Sequence, residues 1–246
     1  MHVQYMYDTS IESIREEAIV SLINKQTLSE QVYHALRQDI LTQEIKCGER
    51  LTLKSLQERF QVSQTPIREA LTRLADDYLV VCTPNVGVTV VNFTPKDVQE
   101  VFEFSCDLDC IAINYCLRNN DPGFLSELEE ACTQAEYCLS KGDIEEWKRF
   151  SDQFHLVLFK YADNRWLEQS ASIMRGQITL LSNLYQRNAN VERIHRDHVT
   201  ICNFLKTGKN EEAISAMRQH YQKTMAFALE VLSSEILVDS GTAYKM

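Results

Sequence analysis

Glycine and proline are scarce in this sequence, at 7 and 4 of 246 residues, against several per cent each in an ordinary globular chain. Few sharp turns are therefore available, and long helices joined by short breaks are favoured. No apolar run approaches the 18 residues or more of a membrane-spanning helix. The first twenty residues have no basic stretch leading into an apolar one, so no secretion leader is expected. The expectation is a soluble, cytoplasmic protein with no membrane partner. There is also no CxxC pair, which removes the usual signature of zinc ribbons and thioredoxin-type chemistry. The eight cysteines that are present read as buried reduced thiols rather than as a stapled secreted framework. Cys106 and Cys110, four apart, share a helix face; they are small core residues or, alternatively, a soft-metal or oxidisable pair.

An excess of basic residues is missing too. The formal charge is -10, which at first sight argues against a nucleic-acid partner, because phosphate contacts need clustered Lys and Arg. The distribution weakens that objection. Residues 28–95 hold seven basic and eight acidic side chains, whereas residues 96–235 hold fifteen and twenty-two. Most of the acidity lies outside the first part of the chain.

What is present reads as a mainly α protein of two parts between an arm and a tail. Residues 1–27 form an N-terminal arm with a short amphipathic stretch, Ile14 to Ile23. Val32, Leu36 and Ile40 recur every four residues across 28–44, which predicts a helix with one apolar stripe. Two shorter helices, 52–60 and 66–77, follow around a tight turn. Next come β-rich runs at Tyr78 to Cys82 and Val88 to Phe93, flanking a turn with Pro84 and Gly87. Three helices and then a β wing is the order of a winged helix-turn-helix, which sets its second short helix in the major groove. This gives a domain at 28–93. Thr94 and Pro95 then supply an N-cap and a first-turn proline. From there helical patterns run 95–119, 123–140, 143–162, 164–187, 190–207 and 210–235, an all-helical antiparallel bundle over 94–235 with a tail at 236–246.

Gly48-Glu49-Arg50-Leu51, Val62-Ser63-Gln64-Thr65-Pro66-Ile67-Arg68-Glu69-Ala70-Leu71 with Leu74, and Pro84-Asn85-Val86-Gly87 with Val90, resemble the winged-helix domain of GntR-type bacterial transcription regulators. The second half is similar to the FCD effector domain of the FadR branch, through Glu103-Phe104, Leu108-Asp109, Phe154-His155, Asn164 with Leu167, and His198 with Ile201 through Gly208 to Met217 and His220. The resemblance implies a homodimeric DNA-binding regulator, commonly a repressor, on a palindromic operator in the bacterial nucleoid. Its operator affinity is then modulated by a small organic, carboxylate-type effector. It also implies DNA contact by Lys54, Gln64, Arg68 and Gly87.

On physical grounds Ser63 or Thr65 caps the recognition helix, where hydroxyls and free amides approach phosphate. Arg68, on the next turn, reaches a phosphate or a guanine edge. Taken alone, an arginine there would pair with Glu69 or with acids around Asp76. The family usually has Arg where Gln64 stands and often a basic residue where Val86 stands. Gln favours adenine where Arg favours guanine, so the operator differs from that of relatives.

In the bundle, His155, His198 and His220 each lie on the apolar face of a predicted helix. From spacing alone they are core histidines or ligands. The resemblance implies a divalent metal, zinc, nickel or manganese, with an open position for the effector. Relatives add an Asp where Ser151 stands, and Asp152, three residues before His155, is the substitute. Ser105 stands where relatives often carry an effector-clamping Arg; Arg175 replaces that guanidinium or is a surface residue. Two alternatives differ in class. One is a metal-dependent hydrolase, although the only acid beside the histidines, Asp197, is read as facing elsewhere on its helix. The other is a helical module that binds protein rather than DNA.

Overall fold

The computed structural model describes residues 26–84, 87–185 and 190–242, with side chains to 234. The expected N-terminal arm and the wing-tip position Val86 lie outside the described residues, as does the side-chain structure of the tail. The chain divides into two compact units, one ending at Val91 and the other beginning at Asn92, with Leu41–Gln43 grouped with the second.

The first unit holds α1 (Leu28–Leu41), β1 (Arg50–Leu51), α2 (Leu53–Phe60), α3 (Gln64–Asp76), β2 (Val80–Thr83) and β3 (Gly87–Val90). The expected apolar stripe of α1 is buried at Val32, Leu36 and Ile40. Leu56 of α2 and Ile67, Ala70, Leu71 and Leu74 of α3 are buried in the same unit. Helix α1 stops at Leu41 rather than 44, and Gln43 lies in the left-handed region at φ 62°. Thr52 caps α2 by accepting from the Ser55 amide at 3.1 Å, and Gln61, at φ 53°, ends it. Helix α3 begins at Gln64, two residues before Pro66, so the proline still falls in the first turn, where its missing N–H costs nothing.

The wing is a three-stranded antiparallel sheet in the order β1-β3-β2, with Leu51 opposite Val88 and Val81 opposite Thr89. The edge strand β1 is not among the elements expected from the sequence, since two residues carry no periodicity. Gly87 takes φ +124°, and a side chain there would meet the Arg50 guanidinium at 3.4 Å.

The second unit is α4 (Pro95–Asn119), α5 (Gly123–Lys141), α6 (Ile144–Ala162), α7 (Arg165–Tyr185), α8 (Val191–Lys206) and α9 (Asn210–Thr242). A reciprocal capping box starts α4: Thr94 accepts from the Asp97 amide while Asp97 accepts from the Thr94 amide. Asn120 and Gly142, both left-handed, end α4 and α5. Helix α4 is the central element, packed against α6, α7 and α9, while α5 packs on α6 and α8. Its inward positions include two polar side chains, Ser105 and Asp109, among Phe102, Cys106, Ile113 and Cys116. Trp147, Phe154, Leu128, Leu158, Leu180 and Leu181 fill the interior around it. Helix α9 continues past 235 to Thr242. Among the described residues no helix is long and apolar enough to cross a membrane.

Candidate functional site

Two groups of residues stand out, one in each unit. In the first, α3 turns Ile67, Ala70, Leu71 and Leu74 inward, which sends Gln64, Thr65, Arg68 and Thr72 outward. Positions 64, 68 and 72 repeat every four residues and form one exposed polar stripe. Ser63 occupies the N-cap with extended backbone but makes no side-chain capping bond, so its hydroxyl and the first-turn amides are left for another acceptor. Thr65 lies within the first turn. Gln64 Nε2 donates to Gln57 Oε1 at 3.3 Å, tying the stripe to α2. Among the described residues Arg68 makes no ion pair, and its neighbours Glu69 and Asp76 hold no salt bridge with it. Lys54, with its side chain 88% exposed, stands 4.0 Å from Glu58. Gly87 is exposed at the start of β3.

In the second unit α6, α8 and α9 bring His155, His198 and His220 together, with one ligand nitrogen of each within 4.8 Å of the others. Their ring centroids lie 4.7 to 5.8 Å apart. Phe154 stacks flat on His198 at 4.2 Å and fixes that ring's plane. The buried Asp109 carboxylate lies 2.6 Å from His155 Nδ1, and through the same oxygen it accepts the Tyr221 hydroxyl at 2.9 Å. With Nδ1 engaged, Nε2 is the His155 nitrogen left for a ligand.

His198 Nε2 and His220 Nδ1 are buried without a hydrogen-bond partner, as is Ser105 Oγ, one turn before Asp109. Asp197 approaches His220 Nδ1 at 3.5 Å and is itself paired with Arg193 at 2.9 Å and Lys223 at 3.4 Å. Burial holds His198 well below the ordinary imidazole range, and the positive fields of His220 and His155 add to this. Burial lowers His220 as well, with Asp197 opposing. Burial also drives the Tyr221 phenol upward, reinforced by the Asp109 charge. At neutral pH His198 and His220 are uncharged, the form in which imidazole ligates metals.

Asp152, expected as the carboxylate of this set, is not brought to it. Its side chain is half exposed and paired with Arg175 at 3.1 Å, and the same guanidinium donates to the Asp152 carbonyl. A position three residues before His155 lies on the neighbouring stripe of α6, and Arg175 of α7 meets it there. Arg175 is accordingly neither a free surface residue nor an unpaired clamp.

Residues 28–90 match the family described as bacterial regulatory proteins, gntR family, and residues 100–223 match the FCD domain. This chain belongs to the GntR family of transcription regulators, in the branch that carries an FCD domain. It is 28% identical over 193 residues to the transcriptional regulator YdhC of Bacillus subtilis, covering 78% of this chain and 86% of that one. It is 23% identical over 199 residues to the transcriptional repressor RspR of Escherichia coli, covering 80% and 87%. Among solved structures, Escherichia coli McbR/YncC superposes with TM-score 0.69 at 22% identity, over 84% of this chain and 99% of that one. A GntR regulator from Rhodococcus sp. RHA1 gives 0.68 at 22%, over 82% and 97%. These two likenesses establish the shared fold.

GntR regulators with FCD domains are transcription regulators and not enzymes, which sets aside the hydrolase alternative. Asp109, Tyr221 and the stacking Phe154 are the site residues that pattern reasoning gave no role. A signal existed for one of them: Asp109 is a charged residue on the otherwise apolar stripe of α4. Asp197, read as facing away from the histidines, turns from His198 but lies against His220.

Proposed function

We propose that this GntR regulator is a homodimeric repressor whose grip on a palindromic operator is set by a divalent metal and a small carboxylate effector held in the helical unit. The observation that carries the reading is the buried histidine trio, in which His198 Nε2 has no hydrogen-bond partner among the described residues and His220 Nδ1 has only Asp197, at 3.5 Å. Burying a polar nitrogen unsatisfied costs about 1–3 kcal/mol, so the unpartnered His198 nitrogen, facing two further imidazoles, asks for a ligand. The donor set fits zinc, nickel or manganese: three imidazoles leave coordination positions open. Such an ion would supply those positions to an effector carboxylate.

The chain's own residues do the rest. Asp109 fixes the tautomer and orientation of His155, and Tyr221 holds Asp109. Phe154 sets the plane of His198, and Ser105 offers a hydroxyl one turn from Asp109 in the same interior. The reading takes three histidines as donors and leaves Asp152 to hold Arg175 beside them.

On the DNA side, Ser63, Thr65 and the first-turn amides of α3 take phosphate, Lys54 takes the backbone, Gln64 and Arg68 read base edges, and Gly87 lets the wing approach closely. Dimerisation doubles the base pairs read on a two-fold operator. Effector control requires only that the ligand bind the operator-competent and operator-incompetent arrangements unequally.

Elemental analysis of the purified protein together with a gel-shift titration tests this reading. The expected result is about one equivalent of metal per chain, lost in His198→Ala, with metal and effector changing operator affinity. A wild-type protein that binds no divalent ion at micromolar concentration would refute the metal half of the reading.

A further inference from the structure

Helices α5 and α8 run antiparallel, and three contacts fix their register. Lys206 pairs with Glu129 at the surface. One turn inward the side chains of Cys132 and Cys202 interact with each other across the two helices. Two turns further on, Ala135 and Cys138 share a buried cluster with Ile194 and Trp147. The two cysteines are thus directly opposed, on different helices, and both are reduced. They lie just below the ion pair, at 7% and 3% exposure, one layer from solvent.

We infer that Cys132 and Cys202 are a modification site for a small hydroperoxide, which closes them into a disulfide tying α5 to α8. The two thiols are unequal. The interaction between the two thiols favours a thiolate on Cys202 over one on Cys132; burial and the Glu129 carboxylate oppose it, and Lys206 supports it. The Cys202 thiolate attacks a peroxide oxygen and the O–O bond breaks, leaving a sulfenic acid on Cys202 and, after proton uptake, one water or alcohol. The Cys132 sulfur then attacks the Cys202 sulfur, the S–S bond forms, and hydroxide leaves with the Cys132 proton as water. Two thiols lose two electrons and the peroxide gains them.

The consequence for the site follows from helix spacing. Cys202 is four residues after His198 and so lies on the same face of α8, whereas α5 carries none of the three histidines. Closing the two sulfurs to about 2.05 Å draws that turn of α8 toward α5. Metal sites tolerate only about 0.2 Å in donor position. Oxidation therefore weakens metal binding, a step that rests on the metal reading above, whereas the disulfide itself does not.

The test uses the full-length protein, reduced, stripped of metal and exposed to hydrogen peroxide. Free thiols counted after denaturation should fall from eight to six. Tryptic mapping should join peptide 119–141 to peptide 197–206, with fragmentation placing the link on Cys132 and not on Cys138. Eight surviving thiols, a link elsewhere, or sulfinic acid without a link overturns the proposal. The link should persist in Cys138→Ala and vanish in Cys132→Ala; the wild-type map decides even if a variant misfolds. Zinc affinity, measured by chelator competition on the linked protein, should drop at least tenfold and recover with dithiothreitol. Unchanged affinity in the linked protein overturns the coupling. A reduced protein that binds no zinc refutes the histidine reading instead, and the peptide map still decides the thiol pair.

Discussion

Asp109 joins two members of the buried polar network: one carboxylate oxygen serves both His155 and Tyr221. Asp109→Asn keeps the shape, but its amide nitrogen cannot accept from His155, and the imidazole loses the orienting charge. Second-shell changes of this kind cost about 10- to 100-fold in metal affinity, and that loss is expected in a chelator competition, with helicity unchanged. The metal-free protein should also be acid-sensitive in a defined direction. Burial holds His198 and His220 below the ordinary imidazole value of 6.5 in the folded chain. The unfolded state therefore binds more protons as pH falls, so their contribution to stability is complete above about 6.5 and is lost below it. The expected slope is up to about 1.4 kcal/mol per pH unit for each histidine, read from urea midpoints between pH 7.5 and 5.5. A flat profile would mean that these rings are not desolvated. The histidine set was legible in the sequence and Asp109 stood out as a charge on the inward stripe of α4, but their pairing was not, because His155 and Asp109 are 46 residues apart and spacing within one helix says nothing about a partner on another.

Elements were far more legible than contacts. The helices after Thr94 follow from apolar periodicity and from local capping chemistry, both of which are encoded within a few residues. The box at Thr94 and Asp97 exemplifies this: Thr94→Ala should cost about 0.5–2 kcal/mol in urea unfolding of the helical unit. A negligible effect would show that tertiary packing alone sets the start of α4. The wing was legible as a hairpin but not as a sheet, since β1 is defined only by its pairing with β3. Its Gly87 has a positional requirement: at φ +124°, with Arg50 at 3.4 Å, Gly87→Ala should destabilise the DNA-binding unit by about 1–3 kcal/mol. The start of α3 was misplaced by two residues because proline marks a helix's first turn rather than one position in it. That shift matters, since it makes Ser63 the N-cap and brings Gln64 onto the helix with Arg68.

At the scale of the whole molecule, a chain of net charge -10 carries a GntR-type unit whose own charges nearly cancel. On the proposed function, its operator affinity comes from a few placed contacts on α2, α3 and the wing rather than from a diffuse positive field. The sequence itself switches from short mixed elements to uninterrupted helices, and the family patterns cover 28–90 and 100–223. The direction of control and the identity of the effector were not legible, because they depend on chemistry outside the chain. The account's central claim is that the exposed stripe of α3 reads double-stranded DNA. Its most direct test is to select bound genomic fragments with the full-length protein, then compare wild type and Arg68→Ala on the recovered fragment across a salt series. The account predicts a salt-sensitive wild-type complex and a loss of about 10- to 100-fold in the variant, with helicity and solution mass unchanged. Equal affinity of the two proteins for that fragment would contradict it.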